Sequence, residues 1–267
     1  LVIVATFFFC LMPVRALDSQ HQSPDTTTTK TTAKEAKTVY NFKNGEQLTY
    51  AVKWRDLRAA KVLLLTEQLS EKESLPANPY KVEVKIETVG VAKNLVEVRD
   101  SYVAYLNPET RFPYRAERDI VEGFKKEKGS VTYDQEKLVV VNENKDSFTL
   151  IDRSHDLASI LWAIRAMDLK QGNTDKFEGF NTVEKKPFTT HVEVGKREEI
   201  STTAGTFSAV ELIIKMQEGK KGITDPYSIR IWLTDDEKRI PVLITAQPPF
   251  GQIKMELISS GDEEDEE

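Results

Sequence analysis

The sequence predicts a mainly β protein: one large twisted antiparallel sheet, curled into a half-barrel or open barrel, with one helix packed on it. Apolar and polar residues alternate with a period of two over much of the chain. This alternation is typical of strands that have one buried face and one solvated face. Turn-forming pairs such as Asn44-Gly45 separate the alternating runs. Only the segment 154–172, which is mostly apolar over residues 157–169, breaks the period, and this indicates a helix that is covered on most sides.

The first 16 residues have the features of an export signal. An apolar run over residues 1–12 is followed by Val14 and Ala16, small residues at the positions that precede a cleavage site. Twelve residues are too few to cross a hydrocarbon core of about 30 Å as a helix, so we expect no retained membrane span. Cys10 is the only cysteine, and its loss with the signal would leave no thiol for disulfides or nucleophilic chemistry. We therefore expect the protein in the bacterial periplasm, or secreted.

Composition divides the rest of the chain into three parts. Residues 17–38 are rich in Thr, Ser and Lys and have no apolar period, so they predict a disordered spacer. Residues 39–259 predict a single antiparallel β domain, and residues 260–267 an acidic tail.

The charge of the folded part argues against nucleic acid as a partner. The net charge is −6, from 43 acidic and 37 basic residues, and the last six residues of the tail are all acidic. Without those six, 37 acidic residues face 37 basic ones. Nucleic-acid binding requires clustered Lys and Arg side chains, and a neutral body does not supply them.

Within the domain, the regular strands come first and the helix interrupts them. The most regular alternating runs cover residues 48–54, 80–88, 210–216, 227–233 and 253–257. The helix is predicted over residues 156–170, with Asp156 as its N-cap and Gly172 just after its end. Between its end residues Asp156 and Lys170, only Ser159, Arg165 and Asp168 are polar. We interpret it as a helix that packs against the concave face of the sheet. The alternative is that this helix lines a cavity for an apolar ligand.

The sequence gives no catalytic, metal or cofactor site. The three histidines, His21, His155 and His191, are far apart in the sequence, and no Cys/His cluster accompanies them. The nucleophile motif Gly-x-Ser-x-Gly and the phosphate-binding glycine motifs are missing from the sequence.

Paired carboxylates are the remaining enzymatic possibility, because glycosidases use two Asp or Glu side chains. Asp235-Asp236-Glu237 and the pair Glu97 and Asp100 are the conceivable sources. The segment Asp235–Arg239 is better interpreted as a solvated hairpin turn between two alternating strands. Glu97 and Asp100 are three residues apart and would face opposite sides of a strand.

Four residues are candidates for ligand binding. Trp232 and Arg230 share the wetter face of the strand 227–233, and Tyr105 shares a wet strand face with arginine. Such aromatic side chains can stack on a sugar ring or contact a lipid. Trp162 lies on the helix, on the side away from Ile160 and Ile164.

An ordered set of motifs resembles a known family. The motifs are Asn44–Trp54, Tyr105–Tyr114, Asp156–Trp162, Thr203–Phe207 and Ile231–Pro241. Over about residues 40–258 the chain is similar to the exported bacterial family of unknown function DUF3108. The resemblance implies an envelope β-sheet protein and assigns no catalytic residues. At the level of fold alone, the half-barrel carriers that hold acyl chains in the periplasm are a looser analogy.

Together these observations predict a non-enzymatic envelope protein that binds an apolar or lipid-like ligand on its concave face. A carboxylate-dependent, glycan-active envelope enzyme is one alternative. A structural or assembly protein that binds a protein partner is the other.

Overall fold

A computed structural model of the protein describes residues 43–70, 78–217 and 222–262. The predicted signal peptide and spacer lie outside these residues, as do the last five residues of the predicted acidic tail. The final strand continues to Asp262, three residues beyond the predicted end of the domain.

Within the described residues, fourteen strands form one antiparallel sheet that does not close, which confirms the predicted fold class. The strands are β1 Glu46–Trp54, β2 Leu57–Gln68, β3 Tyr80–Thr88, β4 Arg99–Leu106, β5 Pro113–Glu122, β6 Lys125–Asp134, β7 Val139–Asn142, β8 Ser147–Thr149, β9 Thr174–Asn181, β10 Lys186–Thr202, β11 Gly205–Gln217, β12 Thr224–Thr234, β13 Pro241–Ala246 and β14 Ile253–Asp262. Two short helices accompany the sheet, α1 (Gly90–Leu95) and α2 (Ile160–Arg165).

The strand order places the first and last strands side by side in the middle of the sheet. Strands β1 to β8 run outward from the centre in sequence order, and β14 to β9 run outward on the other side. The two edge strands, β8 and β9, are therefore consecutive along the chain. The segment that joins them contains α2, so this segment passes from one edge of the sheet to the other.

The curl of the sheet brings these two edges together without a shared ladder of hydrogen bonds. His155, on the connecting segment, forms one isolated parallel bridge with Gly179 of β9. Its backbone N–H donates to the Glu178 carbonyl at 2.9 Å, and its carbonyl accepts from the Phe180 N–H at 2.8 Å. The ring of Phe148 on β8 lies 5.9 Å from the ring of Phe180 on β9, measured between centroids. We call this junction the seam.

The main hydrophobic core lies on the inner face of the sheet, where the connecting segment fills it. We call residues 157–169 of that segment the plug. Its buried apolar residues are Leu157, Ala158, Ile160, Leu161, Trp162, Ile164, Met167 and Leu169. All of them belong to the same buried cluster as the inward residues of β1–β4 and β10–β14.

The helix in the plug is shorter than predicted, 160–165 instead of 156–170. The Asp156 carboxylate accepts the N–H groups of Ala158 and Ser159 at 3.2 and 2.8 Å, and the Ser159 hydroxyl accepts the Asp156 N–H at 3.0 Å. Asp156 therefore stabilises a turn that precedes the helix. At the other end, the N–H groups of Ala166 and Met167 bond to carbonyls three residues back, so the last turn is tighter than an α-helix.

The long β10–β11 hairpin bends so that its tip folds over the outer face of the sheet. The pairing register of the two strands shifts between Val194 and Arg197, and such a bulge bends a strand. Gly195 lies in this bend, where a Cβ atom would approach a Glu211 carboxylate oxygen to 2.7 Å. At the tip, the Thr203 N–H donates to the Glu256 carboxylate at 3.0 Å and the Ala204 N–H to the Leu257 carbonyl at 3.3 Å.

Candidate functional site

Of the four predicted ligand-binding residues, Trp162 lies inside the protein, in the plug. It is almost fully buried, and its indole Nε1–H donates to the Thr66 hydroxyl of β2 at 2.9 Å. A buried Trp needs a partner for its N–H, and Thr66 supplies it. Trp162 therefore anchors the plug to the inner face of the sheet.

Trp232 and Arg230 lie on the outer face of β12, under the bent hairpin. The Trp232 Nε1–H donates to the Glu198 carboxylate of β10 at 2.8 Å. The Arg230 guanidinium is 3.4 Å from the Asp225 carboxylate and 3.9 Å from that of Glu211. The bent β10–β11 hairpin therefore covers part of this face, and Trp232 is half-buried beneath it.

Tyr105 lies on the outer face of β4, separated from β12 by five strands of the sheet. Its ring is 6.3 Å from that of Tyr114, measured between centroids. Trp162 is inside, and the other three residues are outside on two distant strands, β4 and β12, so the four predicted residues do not form one site.

Polar contacts that the sequence did not predict hold the plug at one end of the sheet. Arg165 is fully buried, and its two terminal nitrogens lie 2.7 and 2.8 Å from the two carboxylate oxygens of Glu46 on β1. The same guanidinium donates to the carbonyls of Lys238 and Arg239 at 3.0 Å each. In return, the Arg239 side chain donates to the carbonyls of Arg165, at 3.0 Å, and Met167. We call these contacts the latch.

The latch explains why a charged residue stands in an apolar helix. A buried guanidinium is tolerated only when it is paired and hydrogen-bonded, and Glu46 and the 238–239 turn provide both. Arg165 was visible in the sequence as one of three polar residues between the ends of the predicted helix. Its partner Glu46 is 119 residues away in the chain, so the pair itself was not visible.

The turn that supplies the latch carbonyls is built by Asp236. Its carboxylate accepts from the Thr234 hydroxyl at 2.6 Å and from the N–H groups of Lys238 and Arg239 at 3.0 and 3.1 Å. The neighbouring Asp235 pairs with Arg197 at 2.8 Å. The Asp236 carboxylate therefore shapes the β12–β13 hairpin, and the Asp235 carboxylate links this hairpin to β10.

At the seam, three buried polar atoms have no hydrogen-bond partner among the described residues: the Tyr133 hydroxyl, Gln135 Oε1 and His155 Nδ1. The Gln135 amide donates to the Ser154 carbonyl at 2.9 Å, which places Gln135 beside His155. The His155 ring lies 4.9 Å from the ring of Phe112, and burial lowers the pKa of His155 to about 4. A buried polar atom without a partner costs about 1–3 kcal/mol, so these atoms lower the stability of the seam.

A second group of buried polar residues lies on the inner face of β4 and β5. The Asp100 carboxylate accepts the Val121 N–H at 3.1 Å. Burial raises the pKa of Asp100 to about 7, and the nearby Glu122 carboxylate adds to this effect. Arg118 donates two hydrogen bonds to Glu127, at 2.8 and 2.9 Å. Glu97 is exposed while Asp100 is buried, so these two carboxylates do not face each other.

We expect Asp100→Asn to change how stability depends on pH. With a folded pKa of about 7 against an ordinary value of 3.8, folded Asp100 retains its proton where the unfolded chain loses it. Its contribution to stability is complete below about pH 4 and is lost as the pH rises towards 7. The wild type should therefore lose stability relative to Asp100→Asn between pH 4 and 7, on the order of 2 kcal/mol because solvent screens part of the effect. Urea unfolding of both proteins from pH 4 to 8 measures this difference, and parallel profiles would contradict the assignment.

Two depressions on the outer face have several charged side chains in their walls. One of about 300 Å³ is lined by residues that include Lys61, Lys85 and Arg99. Another of about 420 Å³ shares Ser101 and Asp119 with it. These charged linings do not suit an acyl chain. Among the described residues, no group of three or more His, Cys, Asp or Glu side chains is arranged to hold a metal ion. The described helices are also too short or too polar to cross a membrane.

Comparisons with known proteins give a family match and structural neighbours. A family model described as "Protein of unknown function (DUF3108)" matches residues 49–258. A β-barrel-like DUF1849 protein from Brucella abortus superposes with a TM-score of 0.57 at 10% identity, over 81% of this chain and 97% of that one. A DUF1089 family protein from Pseudomonas aeruginosa gives a TM-score of 0.41 at 9% identity, over 71% and 90% of the two chains. A search of curated proteins finds no significant match. The Brucella structure supports the fold and nothing beyond it.

Proposed function

This chain belongs to the DUF3108 family of proteins of unknown function, and from that premise we propose that it is a non-enzymatic protein of the bacterial envelope. It is exported to the periplasm, and it binds an apolar, lipid-like ligand against the inner face of its sheet. One observation carries this proposal: the apolar inner face is covered by the plug, a segment that is not part of the sheet.

The ligand takes the place of part of the plug. A helix of six residues has almost no stability of its own, so packing and the latch keep it in position. Burial of the seven larger apolar side chains of the plug is worth roughly 10–20 kcal/mol. An acyl chain of about sixteen carbons offers roughly 12 kcal/mol when it is buried. The free energies gained by burying the plug and by burying the acyl chain are therefore similar. The polar contacts of the latch then decide which of the two occupies the inner face.

The seam supports the same proposal. The edges β8 and β9 meet through side chains and a single bridging residue. The seam also contains buried polar atoms that have no hydrogen-bond partner among the described residues. Separating it therefore costs less free energy than separating a hydrogen-bonded ladder. The sheet can widen there without breaking any pair of strands.

The test compares lipid content and probe binding in the wild type and in Arg239→Ala. This substitution removes the side chain that holds the Arg165 and Met167 carbonyls but leaves the apolar lining intact. We expect lipid in organic extracts of periplasmic protein. We also expect about tenfold tighter binding of a fluorescent fatty acid by Arg239→Ala, because charge-assisted hydrogen bonds are worth about 1.5–3 kcal/mol each.

Arg115→Ala is the matched control, since Arg115 pairs with Glu117 on the outer face at 2.8 Å. Its fatty-acid affinity should equal that of the wild type. The proposal fails if no lipid is extracted from the wild type and Arg239→Ala binds the probe no better than Arg115→Ala.

A further inference from the structure

Four large apolar side chains project into solvent at one end of the sheet. Their relative exposures are 43% for Leu57, 61% for Val91, 74% for Leu95 and 107% for Phe124. We call these four residues the apolar rim. Single exposed apolar residues are ordinary on protein surfaces, whereas a cluster of them marks an interaction site.

Backbone hydrogen bonds place the members of the apolar rim side by side. Leu57 begins β2, and on the same strand the Ala59 carbonyl accepts the Val89 N–H at 3.0 Å, just before α1. After α1, the Glu97 carbonyl accepts the Gly123 N–H at 2.7 Å, next to Phe124. The β1–β2 turn, α1 and the β5–β6 turn therefore form one continuous surface.

Local geometry directs these side chains outward. Val91 and Leu95 are four residues apart in α1 and lie on one side of it. Ala92 and Val96, on another side, pack against the core. Phe124 follows Gly123 in a two-residue hairpin turn, and Gly123 has a φ of +60°, which favours glycine.

Basic side chains surround the rim in excess over acidic ones. In the segments 55–58, 90–97 and 123–126, two acidic residues, Asp56 and Glu97, stand among five basic ones. The exposed basic residues are Arg55, Arg58, Lys93, Lys125 and Lys126. Apolar side chains flanked by Lys and Arg are typical of proteins that bind anionic lipid surfaces.

We propose that the apolar rim docks on an anionic lipid membrane, with the four side chains in the interface and the surrounding basic residues at the headgroups. The shape of the surface favours this partner over a folded protein. The rim residues project unevenly from this surface, with exposures from 43% for Leu57 to 107% for Phe124, and a rigid partner would leave gaps between them. A lipid surface deforms around each side chain. Docking at the rim does not depend on the plug or on a ligand behind it, so this proposal stands or falls separately from the proposed function.

The test is co-sedimentation of the full chain with vesicles of phosphatidylcholine, with and without 30% phosphatidylglycerol. We expect the wild type to sediment with the anionic vesicles, less at high salt and less with the neutral vesicles. Leu95→Ser with Phe124→Ser should lower the partition coefficient at least tenfold. Both positions are exposed, so thermal unfolding should remain that of the wild type.

Leu138→Ser with Ile151→Ser is the matched control, because these residues are exposed at 37% and 36% outside the rim. This control variant should bind as the wild type does. Lys125→Gln with Lys126→Gln should weaken binding to anionic vesicles and leave binding to neutral ones unchanged, and it remains informative if the serine variant is unstable.

Three results would overturn the proposal. One is a wild type that fails to sediment with the anionic vesicles, and another is equal loss of binding in the rim and control variants. The third is a concentration-dependent dimer that Leu95→Ser with Phe124→Ser abolishes, which would make a second copy of the chain the occupant of the rim.

Discussion

Replacing Arg165 with alanine should lower the free energy of unfolding by about 3–5 kcal/mol. The guanidinium is fully buried and satisfies both oxygens of Glu46, which is itself buried. Its removal leaves the Glu46 carboxylate buried without its charge partner. The carbonyls of Lys238 and Arg239 also lose a donor. Urea unfolding followed by circular dichroism measures the change.

A double mutant separates the cost of leaving the Glu46 carboxylate buried without a partner from the contribution of the Arg165–Glu46 ion pair itself. Arg165→Met with Glu46→Leu removes both charges and keeps apolar volume, so it should cost less than Arg165→Ala alone. Arg115→Ala breaks an exposed pair with Glu117 and should cost under about 1 kcal/mol. An Arg165→Ala protein as stable as Arg115→Ala would show that the latch does not hold the plug.

Trp162→Ala should have a similar effect, a loss of about 3–5 kcal/mol. The indole is among the largest fully buried side chains of the protein, and alanine leaves a cavity at the centre of the plug. The Thr66 hydroxyl also loses the N–H that it accepts at 2.9 Å. Differential scanning calorimetry gives the stability difference directly.

Trp162→Phe and Trp232→Ala are the matched variants. Phenylalanine keeps most of the apolar contact and loses only the hydrogen bond, so Trp162→Phe should retain much of the stability. Trp232 is half-buried on the outer face, so its truncation should cost clearly less than that of Trp162. Equal losses at the two tryptophans would contradict the assignment of Trp162 to the core.

The most regular strands could be predicted from the sequence because the alternation of apolar and polar residues is a local signal. Runs such as 80–88 and 253–257 fall within β3 and β14, the latter reaching Asp262. Strand order is not local. The pairing of β1 with β14 joins Glu46 to Asp262, and no property of either strand alone indicates its partner.

The same distinction explains the candidate site. Trp232 was recognised as an outward residue because its neighbours Ile229 and Ile231 alternate with it, and both are buried in the structure. The layer above it comes from a hairpin bend at Gly195, which alternation does not reveal. The helix was overestimated because Asp156 and Gly172 were interpreted as its N-cap and its end, whereas hydrogen bonds of Asp156 and Arg239 belong to turns on either side of α2.

The residues that hold the plug were the hardest to find. Neither Glu46 nor Arg165 is unusual in its own segment. Their structural role comes from a contact between two residues that are 119 positions apart in the sequence. His155, one of the three histidines that are far apart in the sequence, lies five residues before α2 and bridges to β9. Such roles depend on which elements meet in space, and a single sequence does not contain that information.

Because β1 pairs with β14, the two halves of the sheet cannot join until β14 has been synthesised. Each half is a succession of neighbouring hairpins, which form quickly from local contacts. The β1 edge that faces β14 stays open until then, and an open strand edge is prone to pair with other chains. The interval before β14 pairs is therefore the one in which this edge is exposed to aggregation.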